Sequence, residues 1–174
     1  MKMDIVAGSG NDEFFTPPYA VEPIIKYIPT GSKVWCPFDT EESWYVKKLH
    51  EHGCKVAATH IDDGQDFFKM TKLATKSDFI LSNPPYSCRT EILETLFKLD
   101  KPFAMLLGVV GLFESQKRFE MFRDNEFEIM YLNKRVSFFK NFADQKPSVN
   151  PPFSTAYICH KMLPRQIIFE EINK

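Results

Sequence analysis

The stretch Asp78-Phe79-Ile80-Leu81-Ser82-Asn83-Pro84-Pro85-Tyr86 joins a short apolar run to a turn of one asparagine, two prolines and an aromatic residue. The apolar run has the length of a strand, and two prolines follow it closely, which is how a fully buried parallel strand ends. Because neither proline donates a ladder hydrogen bond or fits a helix interior, the chain must leave the sheet here. The stretch predicts a buried strand that carries a stiff turn to one end of a sheet.

This turn carries groups that suit the binding of an amine. Asn83 offers an uncharged acceptor and Pro84 fixes the direction of a backbone carbonyl, so both can point at one amino group. Tyr86 supplies a flat face on which a base can stack. Tetrapeptides also recur by chance, and the alternative is a strand followed by a Pro-Pro loop with an incidental Asn and Tyr.

A second segment lies upstream, Asn11-Asp12-Glu13-Phe14-Phe15-Thr16-Pro17-Pro18-Tyr19. Together the two segments resemble the S-adenosylmethionine-dependent amino-methyltransferases, in particular the phage Dam-like and EcoRI-like adenine-N6 DNA methyltransferases. The resemblance implies methyl transfer from S-adenosylmethionine to the exocyclic amino group of adenine in DNA. It assigns the catalytic roles to Asn83, Pro84, Pro85 and Tyr86.

The implied mechanism follows from the delocalised lone pair of an amino group on a conjugated ring. The Asn83 amide oxygen and the Pro84 carbonyl would hold the amine protons and favour a pyramidal nitrogen that attacks the sulfonium methyl in line. Positioning and oriented dipoles would supply the rate, with no charged base. In duplex DNA the adenine would have to be flipped out and stacked on Tyr86.

Apolar periodicity predicts alternating strands and helices. The predicted strands cover residues 33–38, 55–61, 78–82, 102–110, 127–132 and 155–160, with a weak closing segment at 167–169, and the predicted helices cover 19–28, 44–52, 88–99 and 115–123. Residues 67–76 leave open a helical turn or a degraded strand. The alternation predicts a doubly wound α/β sheet. The resemblance implies a Rossmann-like methyltransferase fold, mostly parallel and seven-stranded, with an antiparallel terminal hairpin.

Ligands of such sheets bind outside the carboxyl ends of the strands, near the switch in strand order. The resemblance implies that cofactor-binding residues gather there from three segments: Phe15, Thr16, Pro17, Pro37, Phe38, Asp39, His60, Ile61, Asp62, Asp66 and Phe67. Asp39 would accept the cofactor ammonium and Asp66 the adenine amino group. Asp62 is preferred for the ribose hydroxyls, with His60 and Asp63 as alternatives. The alternatives are an N-cap role for Asp39 and a surface turn at residues 64–68. The family's glycine-rich loop after the first strand is absent, which is the largest departure from its pattern.

The tetrapeptide type occurs twice, since Asn150-Pro151-Pro152-Phe153 precedes the last predicted strand. The residues before this copy are polar, so we expect catalysis at Asn83 and a loop role beside the target base for the second copy. Residues 133–153 predict only a short recognition loop. Its nucleic-acid candidates are Lys134, Arg135, Lys140, Lys146 and Phe153, with a solvated loop of ordinary basic residues as the alternative.

Composition limits the class of protein. The chain has 174 residues, 44% of them hydrophobic, and a net charge of −1, which predicts one globular domain over residues 1–174 with a mobile start at 1–11. No signal sequence or membrane span is indicated, so we expect a cytoplasmic location, in the host cytoplasm if the protein is phage-borne. Four widely spaced cysteines predict reduced thiols, and no residue set predicts a metal site.

Two further functions stay open at the level of sequence. One is the same chemistry on RNA or on a protein glutamine. The other is a catalytically inactive methyltransferase fold that serves as a binding or anti-defence module, which would account for the missing glycines. The lack of a separate recognition domain and the near-zero net charge also suggest a protein partner or a homodimer, because charge alone gives no strong hold on a phosphate backbone.

Overall fold

The computed structural model describes residues 14–147 and 153–174. The predicted mobility of residues 1–11 and the first three residues of the second motif copy lie outside these ranges. Within them the strands are β1 (Lys33–Cys36), β2 (Lys55–Ala58), β3 (Phe79–Ser82), β4 (Phe103–Gly108), β5 (Glu128–Leu132), β6 (Thr155–His160) and β7 (Ile167–Glu170). The α-helices of the same residues are α1 (Pro18–Ile25), α2 (Trp44–Glu51), α3 (Arg89–Leu99) and α4 (Gln116–Asp124).

All seven strands of the described residues form one sheet in the order β2-β1-β3-β4-β6-β5-β7. β6 pairs antiparallel with both β4 and β5, and the other neighbouring strands pair parallel. The predicted α/β fold, a mostly parallel seven-stranded sheet with an antiparallel hairpin, is confirmed. The weak closing segment is a complete strand, β7, which lies beyond the hairpin and is parallel to β5.

The segment between β2 and β3, left open by the sequence, forms short 3₁₀ turns at Ile61–Asp63, Phe67–Lys69 and Thr71–Lys76. Phe67 and Ala74 are buried, and the lysines between and after them are exposed. Burial at this spacing does not alternate from residue to residue, which a half-buried strand would require. No strand of the described residues forms between β2 and β3, and β2 is an edge strand of the sheet.

Both faces of the sheet are buried. Along β1, Val34 and Cys36 belong to one core and Trp35 to the other. β4 is buried at every position, which is typical of a central strand with helices on both sides. The sequence shows this as a continuous apolar run rather than an alternation. No helix of the described residues is long and apolar enough to cross a membrane.

Two buried tyrosines connect three elements. The Tyr157 hydroxyl on β6 donates to the Ala20 carbonyl of α1 at 2.8 Å and lies 3.0 Å from the Tyr45 hydroxyl of α2. Because the Tyr157 hydroxyl has only one proton and gives it to Ala20, Tyr45 must be the donor to Tyr157. The direction of the hydrogen bonds is therefore fixed from α2 through β6 to α1.

Replacing Tyr157 with Phe should lower the free energy of unfolding by about 1–3 kcal/mol, because it leaves the buried Ala20 carbonyl without its donor. Urea unfolding followed by circular dichroism measures the change. Tyr131→Phe, at a partly exposed tyrosine of β5, is the matched control and should alter stability by less than about 0.5 kcal/mol. Equal effects in the two variants would show that the buried hydroxyl does not stabilise the fold.

Candidate active site

A cavity of about 220 Å³ lies at the carboxyl ends of β1 and β3. β1 lies between β2 and β3, so the chain continues to one side after β1 and returns on the other side, and this is the switch in strand order where such sheets bind ligands. Loops that follow β1, β2 and β3 line the cavity together with the segment Phe14-Phe15-Thr16. The sequence segments proposed to share one site therefore meet at one edge of the sheet.

Every residue predicted to act in catalysis or cofactor binding lines this cavity except Pro17, Asp62 and Tyr86. Pro17 is buried at the N-cap of α1. The side chain of Asp62 is 78% exposed. Tyr86 is buried behind the motif turn. Their predicted roles stay predictions.

The Asn83 side chain is held by the N-terminal segment. Its Nδ2 donates to the Phe14 carbonyl at 2.7 Å and to Thr16 Oγ1 at 3.2 Å. Its Oδ1 is buried, and no donor of residues 14–147 or 153–174 reaches it. An acceptor that is buried without a partner costs about 1–3 kcal/mol, so its retention needs an explanation.

Tyr86 lies in an aromatic cluster. Its ring stacks on Phe14 with centroids 5.4 Å apart and meets Phe153 edge-on at 5.5 Å. Phe153 in turn packs on Gly108 at the end of β4, where a Cβ atom would come within 3.0 Å of its ring. The candidate nucleic-acid residue Phe153 is thus buried beside the motif.

Asp39 is a buried carboxylate on the cavity wall. Its Oδ1 accepts from Ser43 Oγ and its Oδ2 from Ser82 Oγ, each at 2.5 Å. Burial raises the pKa of the Asp39 carboxyl from 3.8 to about 6, although both serine hydrogen bonds and nearby His60 act to lower it. The N-cap of α2 is Ser43, whose hydroxyl accepts from the Tyr45 N–H. Ser43 is therefore the N-cap residue, and Asp39 accepts the hydrogen bond of the Ser43 hydroxyl.

The polar groups that follow β2 on the cavity wall are His60 and Gln65. His60 is buried, and its Nδ1 accepts from the backbone N–H of Asp62. Gln65 Oε1 accepts from the His60 N–H at 3.3 Å. These bonds fold the chain into a tight turn that places His60 and Gln65 on the cavity wall, whereas Asp62 does not line the cavity.

The Asp66-Phe67 pair borders the far end of the cavity. Asp66 Oδ1 accepts from the Phe68 N–H at 3.0 Å and so caps the 3₁₀ turn. The Phe67 ring stacks on Trp35 at 5.6 Å and contacts Phe38 at 5.1 Å. Packing against two aromatic neighbours fixes this part of the wall before any ligand binds.

The loop after β5 covers the N-terminal segment. Phe15 and Phe139 exchange backbone hydrogen bonds of 3.3 and 2.8 Å, and the rings of Phe15 and Phe142 lie 4.6 Å apart. The basic candidates Lys134, Arg135, Lys140 and Lys146 are all exposed and do not line the cavity. Lys140 directly follows Phe139, which brings its backbone close to the cavity rim.

Several residues of the site were not predicted from the sequence, among them Ser82, Ser43, Phe14 and Phe142. Ser82 directly precedes the motif, and Ser43 precedes α2 as N-cap residues do, so adjacency and capping preference were signals for both. Phe14 acts through its backbone carbonyl, and Phe142 reaches the cavity across the fold. Neither of these contacts has a signal in local sequence.

No group of three or more His, Cys, Asp or Glu residues converges as a metal-binding set within the described ranges. His52 Nε2 lies 2.7 Å from the Ile28 carbonyl, and Cys54 Sγ lies 3.8 Å from the Pro29 carbonyl. The closely spaced His50, His52 and Cys54 thus make separate contacts.

No protein-family model and no curated protein matches the chain. Among solved structures, the chain is similar to a modification subunit ascribed to a type I restriction enzyme from Vibrio vulnificus YJ016, with a TM-score of 0.58 and 12% identity over 99% of this chain. The chain spans 50% of that chain. At this identity the match supports the fold and nothing further.

Two more distant structures have a TM-score of 0.45 and 15% identity. One is a release factor-specific protein-(glutamine-N5) methyltransferase from Alicyclobacillus acidocaldarius, matched over 83% of this chain and 93% of that chain. The other is a TehB-like SAM-dependent methyltransferase from Corynebacterium glutamicum ATCC 13032, matched over 92% and 94%. Similarity at this level carries no argument about function.

Asp39→Asn should stabilise the protein near neutral pH. The folded pKa of about 6 lies above the ordinary value of 3.8, so the favourable contribution of this carboxyl is complete below the unfolded pKa and is lost as the pH rises to about 6. The shift corresponds to about 3 kcal/mol. Urea unfolding should therefore show the free energy of unfolding of the original protein falling between about pH 4 and pH 7.5, while that of Asp39→Asn, which does not ionise, stays constant. At about pH 4 Asp39→Asn should be the less stable protein, because its amide nitrogen cannot accept from one of the two serines.

Asp63→Asn is the control for this comparison, because Asp63 is exposed. Its stability should stay within about 0.5 kcal/mol of the original protein at both pH values. If Asp39→Asn brought no gain near neutral pH, burial would not be destabilising the carboxylate.

Proposed function

We propose that this protein transfers a methyl group from S-adenosylmethionine to the exocyclic amino group of adenine in DNA. The observation that carries the proposal is the buried Asn83 Oδ1, which has no donor within residues 14–147 and 153–174. A structural asparagine would satisfy both ends of its amide, because an unused buried acceptor is costly. An acceptor kept vacant beside a cavity suits a substrate that brings its own N–H groups.

The residues of the cavity fit S-adenosylmethionine. Asp39 offers a buried carboxylate suited to an ammonium group, and Asp66 offers a second carboxylate for an adenine amino group. Phe38 and Ile61 add apolar walls for an aromatic ring. When bound, the cofactor would supply an electrophilic methyl group on a sulfonium.

The protein's own contribution is to hold and orient the substrate amine. Asn83 Oδ1 and the Pro84 carbonyl would accept the two N–H bonds of the amino group, which leaves its lone pair free to attack. The proline ring fixes the Pro84 carbonyl, and two hydrogen bonds fix the Asn83 amide. Dipoles that are already oriented need no reorganisation during the reaction, which is where the rate advantage arises.

Entry of the target base requires movement of aromatic side chains. Phe14 stacks on Tyr86 and Phe153 meets it edge-on, so these rings occupy the space in which a base would stack. A base that displaced Phe14 would exchange one aromatic contact for another. This exchange lowers the free-energy cost of opening the site, because stacking of the base on an aromatic side chain contributes about 1–3 kcal/mol.

DNA is the proposed substrate because the Phe14–Tyr19 and Asn83–Tyr86 segments together resemble adenine-N6 DNA methyltransferases. The exposed residues Lys134, Arg135, Lys140 and Lys146 are the proposed phosphate contacts, with Phe153 beside the flipped base. The similarity to a restriction-enzyme modification subunit is in keeping with this substrate. We further propose that a protein partner, or a second copy of this chain, supplies sequence recognition.

S-adenosylmethionine should bind the purified protein in a calorimeter with micromolar affinity, about −8 kcal/mol. Asp66→Ala should weaken binding by about tenfold through loss of one charge-assisted hydrogen bond. Asp63→Ala is the matched control and should leave affinity unchanged. Absence of binding by the folded original protein would overturn the proposed function and favour a role as a binding module.

Asn83→Ala should reduce transfer of a radiolabelled methyl group to adenine-containing DNA by at least about 100-fold, because it removes one of the two acceptors of the amine. Asn150→Ala changes the same position of the second motif copy and should retain activity. Calorimetry with S-adenosylmethionine should give equal affinities for both variants. Turnover that persists in Asn83→Ala and disappears in Asn150→Ala would move catalysis to the second copy.

A further inference from the structure

We infer that Thr16 is a positioning residue for the catalytic amide: together with the Phe14 carbonyl it turns the nitrogen of Asn83 away from the substrate and leaves the oxygen facing it. The inference rests on the proposed role of Asn83 and goes beyond it, since Thr16 was expected only to bind cofactor. Its basis is a set of buried hydrogen bonds whose donors and acceptors can each be assigned.

The Phe14 carbonyl fixes the first assignment. The two ends of an asparagine amide have nearly the same shape, so packing alone does not select between them. A carbonyl can only accept, and the Phe14 oxygen lies 2.7 Å from the terminal Asn83 atom that faces it. That atom must be the nitrogen, because two amide oxygens at this distance would repel each other.

Thr16 is less simple, because a hydroxyl can either donate or accept. Its Oγ1 lies 3.2 Å from Asn83 Nδ2, and its hydroxyl is near enough to the Tyr45 hydroxyl to lower the pKa of that tyrosine. Tyr45 gives its only proton to Tyr157, which gives its own to the Ala20 carbonyl. Tyr45 therefore has no proton to give to Thr16, and Thr16 accepts from Asn83, whose Nδ2 can only donate.

Two sets of hydrogen bonds thus have a fixed direction: the Asn83 amide donates to Phe14 and Thr16, and Tyr45 donates to Tyr157, which donates to a carbonyl of α1. Thr16, Tyr45 and Tyr157 are at most 3% exposed, so water does not replace a lost bond. A flipped Asn83 would present N–H groups toward an amine that itself needs acceptors. The orientation of the amide therefore decides whether the site can hold the substrate.

The hydrogen bond and the burial of Thr16 also limit what its hydroxyl can do for a ligand. One lone pair of its oxygen accepts from Asn83, and the residue is only 3% exposed, so little of the hydroxyl is left for a ligand in the cavity. The main consequence of removing the hydroxyl should thus appear in the chemical step rather than in cofactor affinity.

Thr16→Val removes the hydroxyl at nearly constant shape, and Thr16→Ser keeps the hydroxyl. We expect kcat for methyl transfer to fall about 10- to 100-fold in Thr16→Val, with the calorimetric Kd for S-adenosylmethionine within about threefold of the original. Thr16→Ser should restore kcat. Thr155→Val is the matched control, because Thr155 is buried and its hydroxyl has no partner among the described residues; its kcat should be unchanged.

A second readout needs neither cofactor nor substrate. The side-chain NH₂ of Asn83 can be assigned in an ¹⁵N-resolved NMR spectrum by its loss in Asn83→Ala. In the original protein and in Thr16→Ser it should exchange slowly with solvent, and in Thr16→Val at least about tenfold faster. This comparison tests the positioning role even if no DNA substrate is methylated, so the inference and the proposed function can fail separately.

Three results would overturn the inference. The first is an Asn83 amide that exchanges equally in Thr16→Val and the original protein. The second is a loss of cofactor affinity in Thr16→Val that matches the loss of kcat, which would make Thr16 a binding residue. The third is a Thr16→Ser protein as impaired as Thr16→Val, which would assign the effect to the lost methyl group.

Discussion

The candidate site depends on the hydrogen bonds that the buried Asp39 carboxylate accepts. The carboxylate accepts hydrogen bonds from Ser43 at the start of α2 and from Ser82 at the end of β3. These two bonds join the loop after β1 to the strand that carries the motif. Because a buried carboxylate without such partners is strongly unfavourable, the serines and the aspartate require one another. The Asp39 carboxylate is thus held in place at the switch in strand order.

The segment Phe14-Phe15-Thr16 completes what the sheet begins. It supplies both partners of the Asn83 amide nitrogen, and its first ring stacks on Tyr86. It is held in turn by backbone bonds between Phe15 and Phe139. Both the proposed cofactor side and the proposed base side of the site thus depend on one short stretch of chain. A motif turn alone would present an asparagine whose orientation nothing determines.

Much of the fold could be predicted, because strands buried on both faces carry continuous apolar runs with proline or glycine at their ends. The stretch Asp78–Tyr86 is the clearest example, and the structure places β3 within it. Residues 67–76 could not be decided, since their apolar residues are few and lysines separate them. β7 was underestimated because a four-residue edge strand gives little periodicity and gains its place by pairing with β5.

The candidate site was predictable where one residue type must occupy one loop position, as with Asn83 and Asp39. It was not predictable where the partner is a backbone carbonyl or a distant ring. Phe153 shows the difference, since the sequence predicted a loop beside the target base but gave no sign that the fold would bury the ring on Gly108. Packing against a glycine on another strand leaves no mark near Phe153 in the sequence.

By itself the sequence determined the α/β sheet, the end of the strand that carries Asn83, and the residue types gathered at that end. These follow from local pattern, because hydrophobic period and proline geometry act over a few neighbouring residues. Only the tertiary structure decided which way the Asn83 amide faces and that Asp39 is bonded by two serines. Those outcomes depend on groups far apart in the chain, such as Thr16 and Asn83, whose hydrogen bond forms only when folding brings them within 3.2 Å of each other.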